Sequence, residues 1–399
     1  MPETWPPRFL FAVCQCGAEQ ALKHEVAAGP IAARPAFSRP GFVTFKLDDE
    51  VAEPEQFQLP STFARTIGFS LEKLSGDSTQ ELAAQLWRQP GVEALLAEKQ
   101  LADLHVWQRD TAVPGVKGFE PGPTELALAV EASIRAAAPT EQLRAVPATP
   151  RQPSRRNRWV LDVVLVEPGE WWVGCHFTSR RLDSYAGGVM PIELPDDAVS
   201  RAYLKMEEAL QWSALPIARG DLCVELGCAP GGASQALMEH GLRVLGVDPA
   251  EVDPQVIDSP QFTHIRRRSS EVAHKQLRGV QWVAADMNVA PTYTLDAVEQ
   301  VVANDQAAVR GMILTLKLAD WKLAAKLPEL IARVRSWGYR DVRTRQLAFN
   351  RQEVCLVALR SRAQRRVKRA RRRARHDAPH AGKAGPHYNS PPPPLDGKD

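Results

Sequence analysis

The stretch Glu225 to Ser234, ELGCAPGGAS, follows the apolar run Leu222 to Val224 and precedes the helical pattern Gln235 to Met238. A strand, a glycine turn and a helix in that order hold a nucleotide-like ligand against backbone amides. A second apolar run, Val244 to Val247, closes on Asp248. An acid at that distance accepts hydrogen bonds from the two hydroxyls of a ribose. The turn departs from Gly-x-Gly-x-x-Gly. Ala229 stands where the middle glycine would let a pyrophosphate approach the backbone, and Pro230 removes an amide donor. The turn therefore suits an adenosine ligand without a pyrophosphate. S-adenosylmethionine (SAM), with a sulfonium and an amino-acid end, answers that description; the bland alternative is a tight turn with no ligand.

Ligands of open α/β sheets lie beyond the carboxyl ends of the strands. Asp286 follows the apolar run Val280 to Ala284, and Lys317 follows Met312 to Leu316, so both are expected to face that crevice. A lysine ending an apolar strand is costly to bury unless paired. Alone, Lys317 reads as a solvated strand end; its coincidence with Asp286 points to chemistry.

Four segments, ELGCAPGGAS, AADMN, LTLKLADWK and RQEVCL, resemble successive motifs of the FtsJ-type ribose 2′-O-methyltransferases, and SRAYLKMEEAL upstream resembles the family's N-terminal motif. The resemblance implies a catalytic Lys-Asp-Lys-Glu tetrad, which falls on Lys205, Asp286, Lys317 and Glu353. It also implies a Rossmann-like SAM methyltransferase domain with a mostly parallel sheet. The candidate cofactor-binding residues are Ser200, Glu225, Gly227, Ala229, Pro230, Gly231, Gly232, Asp248 and Asp286. The segment YAGGVMPIELPDDAVSRAYLKMEEAL is similar to one group within the family, which methylates the ribose of a cytidine in large-subunit ribosomal RNA and carries an N-terminal THUMP-type RNA-binding region. RNA is thus the implied partner. The similarity spans 186–360 and is architectural only over 1–185. In place of the acid that often contacts adenine in the family, the chain has Arg266, Arg267, Arg268, Ser269, Ser270 and Glu271.

A ribose 2′-hydroxyl is a poor nucleophile and a sulfonium methyl a good electrophile, so such a site must position the two in line and remove one proton. Lys317 is the expected base. An ammonium accepts no proton, so its pKa must fall, through burial and a neighbouring ammonium at Lys205. Asp286 is expected to orient Lys317 and the sulfonium end of SAM, and Glu353 to hold Lys205. No metal is required, and the histidines show no metal-ligand spacing. The acid pairs Glu207-Glu208 and Asp196-Asp197 read as solvated faces, and Trp171-Trp172 as one core ring and one outer ring on a strand.

These side chains need a large scaffold. The 399 residues, 44% of them hydrophobic, suffice for two or three domains, and no run of 18 apolar residues predicts a membrane span. The first residues do not read as a signal peptide, and scattered cysteines at 14, 16, 175, 223, 228 and 355 read as reduced thiols, so a cytoplasmic protein is expected. Residues 1–75 read as a small α+β subdomain, 76–185 as a THUMP-like RNA-binding subdomain, 186–360 as the methyltransferase domain and 361–399 as a disordered basic tail. From Asp221 onward, strands expected at 222–226, 244–247, 280–284, 311–316 and 354–359 alternate with helices expected at 233–239, 295–309 and 319–337, the pattern of a mostly parallel sheet covered on both faces. Residues 360–399 hold 12 Lys/Arg against 3 Asp/Glu, which leaves the preceding residues at −6. Such a tail favours phosphate contacts that weaken as salt rises. Two other readings stay open: a nicotinamide-dependent Rossmann oxidoreductase, which Asp248 permits, and a non-catalytic RNA-binding protein that retains SAM.

Overall fold

The computed structural model describes residues 6–141 and 153–361. Its strands form two seven-stranded sheets. The first contains β1 (Phe9–Val13), β2 (Ala33–Arg39), β3 (Phe42–Leu47), β4 (Thr66–Ser75), β5 (Leu101–Gln108), β6 (Trp159–Glu167) and β7 (Glu170–Phe177), in the order β2-β3-β1-β4-β7-β6-β5. Its pairings are antiparallel except β5 with β6. Helices α1 (Glu19–Ala27), α2 (Thr79–Leu86), α3 (Pro90–Glu98) and α4 (Glu125–Ala136) belong to this half. Ser78 caps α2 by accepting from the Glu81 amide, and Thr124 caps α4 by accepting from the Ala127 amide, each satisfying a donor the helix leaves free.

The strands of both units expected within 1–185 lie in this one sheet. β4 pairs with β1 on one edge and with β7 on the other, so no sheet boundary falls near residue 75. Pairing β4 to β7 supplies partners for backbone groups that a separate first unit would leave on an open edge.

The second sheet contains β8 (Leu222–Leu226), β9 (Arg243–Val247), β10 (Phe262–Ile265), β11 (Trp282–Ala285), β12 (Gly311–Lys317), β13 (Asp341–Arg345) and β14 (Glu353–Leu359), in the order β10-β9-β8-β11-β12-β14-β13. Pairing is parallel from β10 to β12, and β14 is antiparallel to both β12 and β13. The helices are α5 (Ala202–Ser213), α6 (Gly232–Glu239), the single turn α7 (Pro254–Ile257), α8 (Pro291–Val302) and α9 (Leu327–Ser336). The order reverses between β9-β8 and β8-β11, and a ligand crevice opens at that switch point in such sheets. The helix expected over 319–337 is instead a 3₁₀ segment, Trp321–Lys326, followed by α9. Pro328, in the first turn of α9, has no amide to continue a helix from before it. The helix expected over 295–309 is α8, which starts earlier and stops at Val302.

No helix among the described residues is long and apolar enough to cross a membrane. All six cysteines are free. The basic block Arg365 to Arg375 and the tail after it lie outside the described residues.

Candidate active site

The turn after β8 is shaped by close approaches. Gly227 has φ 81°, and a Cβ there would meet the Asp286 carbonyl oxygen at 3.1 Å. Gly232 opens α6, and a Cβ there would stand 2.3 Å from Ser200 Oγ. Both positions thus require glycine, one for backbone conformation and the other for space. Asp248 closes the turn from outside: its carboxylate accepts from the Ala229 amide at 3.2 Å and the Ala250 amide at 2.8 Å.

Beyond the strand ends lies a cleft of about 640 Å³, walled in part by Gly227, Ala229, Asp248, Arg268, Asp286 and Tyr293. Ser200 and Gly232 pack on each other outside that wall, and the Pro230 carbonyl accepts from the Asp253 amide at 2.9 Å. Glu225 is buried at the end of β8, where one carboxylate oxygen accepts from Ser234 Oγ and the other has no partner. Burial, with Asp286 and Asp248 adding to it and the Ser234 bond opposing, pushes its carboxyl up to about 8. Ser200 Oγ is likewise buried and unpartnered. Unpaired polar atoms beside a glycine turn fit a ligand with its own donors, such as the amine of an amino-acid end. Glu271 accepts from the Arg268 amide at 3.3 Å, and Arg266 pairs with Glu251 at 3.1 Å.

Next to the cleft, four side chains from four elements meet. Lys205 projects from α5, Asp286 follows β11, Lys317 ends β12 and Glu353 begins β14. Lys317 and Glu353 are direct cross-strand partners. Lys205 Nζ lies 2.8 Å from Asp286 Oδ2 and 2.9 Å from Glu353 Oε1. Lys317 Nζ lies 3.0 Å from Asp286 Oδ1 and also donates to Glu353 Oε2. The result is a closed ring in which two amines alternate with two carboxylates. Asp286 belongs to both features, lining the cleft and completing the ring.

The ring differs from the expected division of labour, because each carboxylate bridges both lysines. Burial alone would lower the Lys317 amine, but Asp286 and Glu353 hold it well above the ordinary lysine value. The depressed pKa expected of Lys317 is therefore absent before a ligand arrives. Burial would likewise raise Asp286, yet Lys205 and Lys317 hold its carboxyl below the usual range.

The segment before β14 is fastened from two sides. Glu208, one helical turn after Lys205 on α5, is buried and accepts from the Ala348 and Phe349 amides, both at 2.9 Å. The solvated face expected for Glu208 is thus corrected: its neighbours Leu204 and Met206 are buried with it, and two amides replace its water. From the N-terminal half, Gln15 donates to the Asn350 carbonyl and accepts from Gln346 Nε2 at 2.8 Å. The Gln346 amide donates to the Thr62 carbonyl at 2.7 Å, and Arg351 Nε to the Pro114 carbonyl at 3.1 Å. The first half of the chain thereby positions Glu353. Gln15→Ala should cost about 1–3 kcal/mol of stability and lower kcat on the order of tenfold to hundredfold by displacing Glu353. Thermal unfolding beside steady-state rates checks this, and unchanged kcat would detach the N-terminal half from catalysis.

Residues 198–335 match the family model described as FtsJ-like methyltransferase. Over that segment the chain is similar to the FtsJ-like methyltransferases. SAM is the cofactor this similarity supports, and the unpaired acceptors beside the glycine turn suit its amino-acid end. The matched residues include Lys205, Asp286 and Lys317, while Glu353 lies beyond them. The chain is 26% identical over 209 residues to the ribosomal RNA large subunit methyltransferase M of Yersinia pestis (strain Pestoides F), a match covering 50% of this chain and 56% of that protein. The same figures hold for the enzyme of that name from Yersinia pseudotuberculosis serotype O:1b (strain IP 31758). The chain therefore spans a little over half the length of the curated relatives it matches. Among solved structures, the 1,6-didemethyltoxoflavin-N1-methyltransferase of Burkholderia thailandensis superposes with a TM-score of 0.31 at 16% identity, over 41% of this chain and 79% of that one.

Proposed function

We propose that this protein methylates a ribose 2′-hydroxyl in RNA, a cytidine of large-subunit ribosomal RNA, with Lys205, Asp286, Lys317 and Glu353 as its catalytic tetrad. The observation that supports this most is the closed ring of those four side chains beside the methyltransferase cleft. The similarity to ribosomal RNA large subunit methyltransferase M supports the RNA substrate. In this reading the N-terminal half is a THUMP-like RNA-holding region.

SAM supplies an electrophilic methyl group on a sulfonium. Glu225, Gly227, Ala229 and Asp248 would hold it against the turn, while Ser200, Pro230, Gly231 and Gly232 shape that turn. Asp286 faces both cleft and ring. Positive charge brought into the cleft competes with Lys317 for that carboxylate and lowers the amine. Lys317, once uncharged, takes the 2′-hydroxyl proton. Lys205, paired with Asp286 and Glu353, shares the carboxylates that Lys317 contacts and so fixes their position.

The test uses methyl-labelled SAM and large-subunit ribosomal RNA from cells that lack the protein. The expected label lies on a ribose and renders the adjacent phosphodiester resistant to alkali, because the 2′-oxygen can no longer attack it. Label on a base, or no transfer to this RNA, would overturn the reading.

A further inference from the structure

The N-terminal sheet contains a second cluster that the methyltransferase reading does not use. His105 on β5, Asp162 on β6 and His176 on β7 are all buried, and one ligand atom from each lies within 4.8 Å of the others. The sheet register creates the cluster. His105 and Asp162 are direct partners across β5 and β6. Asp162 faces Gly174 across β6 and β7, which places His176 two residues along on the same face. Trp107, Val164 and Trp172 share that face, and Ala186 packs against them.

The hydrogen-bond network of the cluster is incomplete: His176 is bonded at both nitrogens, whereas His105 and Asp162 each keep an unpartnered atom. His105 Nε2 lies 2.8 Å from Ser154 Oγ, which donates to Asp103 Oδ2 at 2.5 Å. His176 Nε2 lies 2.7 Å from the Asp183 carbonyl oxygen, so that nitrogen carries a proton. Both rings are therefore held from behind by Nε2, and both Nδ1 atoms turn toward Asp162, at 3.9 Å from His105 and 2.6 Å from His176. His105 Nδ1 and Asp162 Oδ1 are buried with no hydrogen-bond partner at all. A buried lone pair and a buried carboxylate oxygen, left unsatisfied and facing each other, are costly unless something binds both. Imidazoles oriented through the far nitrogen by a carbonyl or a carboxylate-linked hydroxyl are the usual outer shell of a metal site.

We infer that His105 Nδ1, Asp162 and His176 Nδ1 bind one divalent transition-metal ion, with zinc the best match to two imidazoles and a carboxylate. Neutral imidazoles are the required form. Nε2 of each ring donates to its own partner, so Nδ1 is the ligand atom of each. The ion takes the place of the His176 proton. Water would complete the fourth position. The cluster is sealed, which makes the role structural: the ion joins three strands to the loop after β7, which leads toward α5 and Lys205.

The full-length protein without an affinity tag, stripped with a chelator and dialysed, should rebind one equivalent of Zn²⁺ measured by elemental analysis. Co²⁺ should give a visible ligand-field band that Zn²⁺ removes. His105→Ala should abolish the band and weaken Zn²⁺ binding by well over tenfold. Ser154→Ala keeps all three ligands and should weaken it about tenfold to hundredfold, which preserves the test if His105→Ala fails to fold. Absence of stoichiometric Zn²⁺ in the unmodified protein, or an unaltered Co²⁺ band in a folded His105→Ala, would overturn the inference; the latter would assign the metal to other histidines, such as His376, His380 and His387.

Discussion

Replacing Lys317 by alanine is expected to lower methyl transfer about 10²- to 10⁴-fold, the range for loss of a positioned general base, with SAM affinity nearly unchanged. Lys317 is absent from the cleft wall that Asp286 and Asp248 share, so its loss removes no wall residue. Its amine is held above the ordinary lysine value by Asp286 and Glu353, and the uncharged form is scarce at neutral pH. The rate of the unmodified protein should therefore climb with pH through the neutral and mildly alkaline range, and Lys317→Ala should lose that climb. Single-turnover rates across pH, beside equilibrium SAM binding, provide the check. Full activity in Lys317→Ala, or a pH profile shared by both proteins, rules out Lys317 as the base. Arginine should not rescue it, because a guanidinium stays charged throughout.

Glu353→Ala should remove both stability and activity. Glu353 is only 2% exposed and contacts both lysines. Its loss leaves two ammoniums sharing Asp286 in a largely buried place. Breaking a buried ion pair from one side typically costs about 3–5 kcal/mol. The lysine side chains are 14% and 21% exposed, so water relieves part of this, and about 3 kcal/mol is expected. Urea unfolding at neutral pH measures it; a loss under about 0.5 kcal/mol, typical of exposed pairs, would show that the lysines reach water freely. The same ring sets the acid response. Asp286 has a lowered folded pKa, so its contribution is present above the unfolded value near 3.9 and is lost as pH falls through the folded one. Lys317 has a raised folded pKa, so its contribution is present below the unfolded value near 10.4 and fades only as pH rises through the folded one.

Much of the site was legible from local pattern. A strand, a glycine turn and a helix are contiguous, so Glu225, Gly227 and Asp248 can be located without tertiary information. Asp286 and Lys317 declare themselves by ending apolar runs. Short or polar strands escape that reading. β10, Phe-Thr-His-Ile, is four residues long, and β13, Asp-Val-Arg-Thr-Arg, carries three charges. Neither stands out from a loop until a neighbouring strand supplies its partners.

Sequence alone determined the kinds of residue at the strand ends, the glycine turn with alanine at its middle position, and the order of Lys205, Asp286, Lys317 and Glu353 along the chain. Tertiary structure decided how those residues share charge. Only the pairing of β12 with β14 places Lys317 against Glu353, and only the packing of α5 lets one carboxylate hold two amines. The union of the first seven strands in one sheet depends on β4 meeting β7 about a hundred residues later, and the approach of His105 to Asp162 and His176 depends on the register of β5, β6 and β7. Such contacts carry no local periodicity. They arise because a strand edge left unpaired, or a charge buried without its counterpart, costs more free energy than closing the long loops between them.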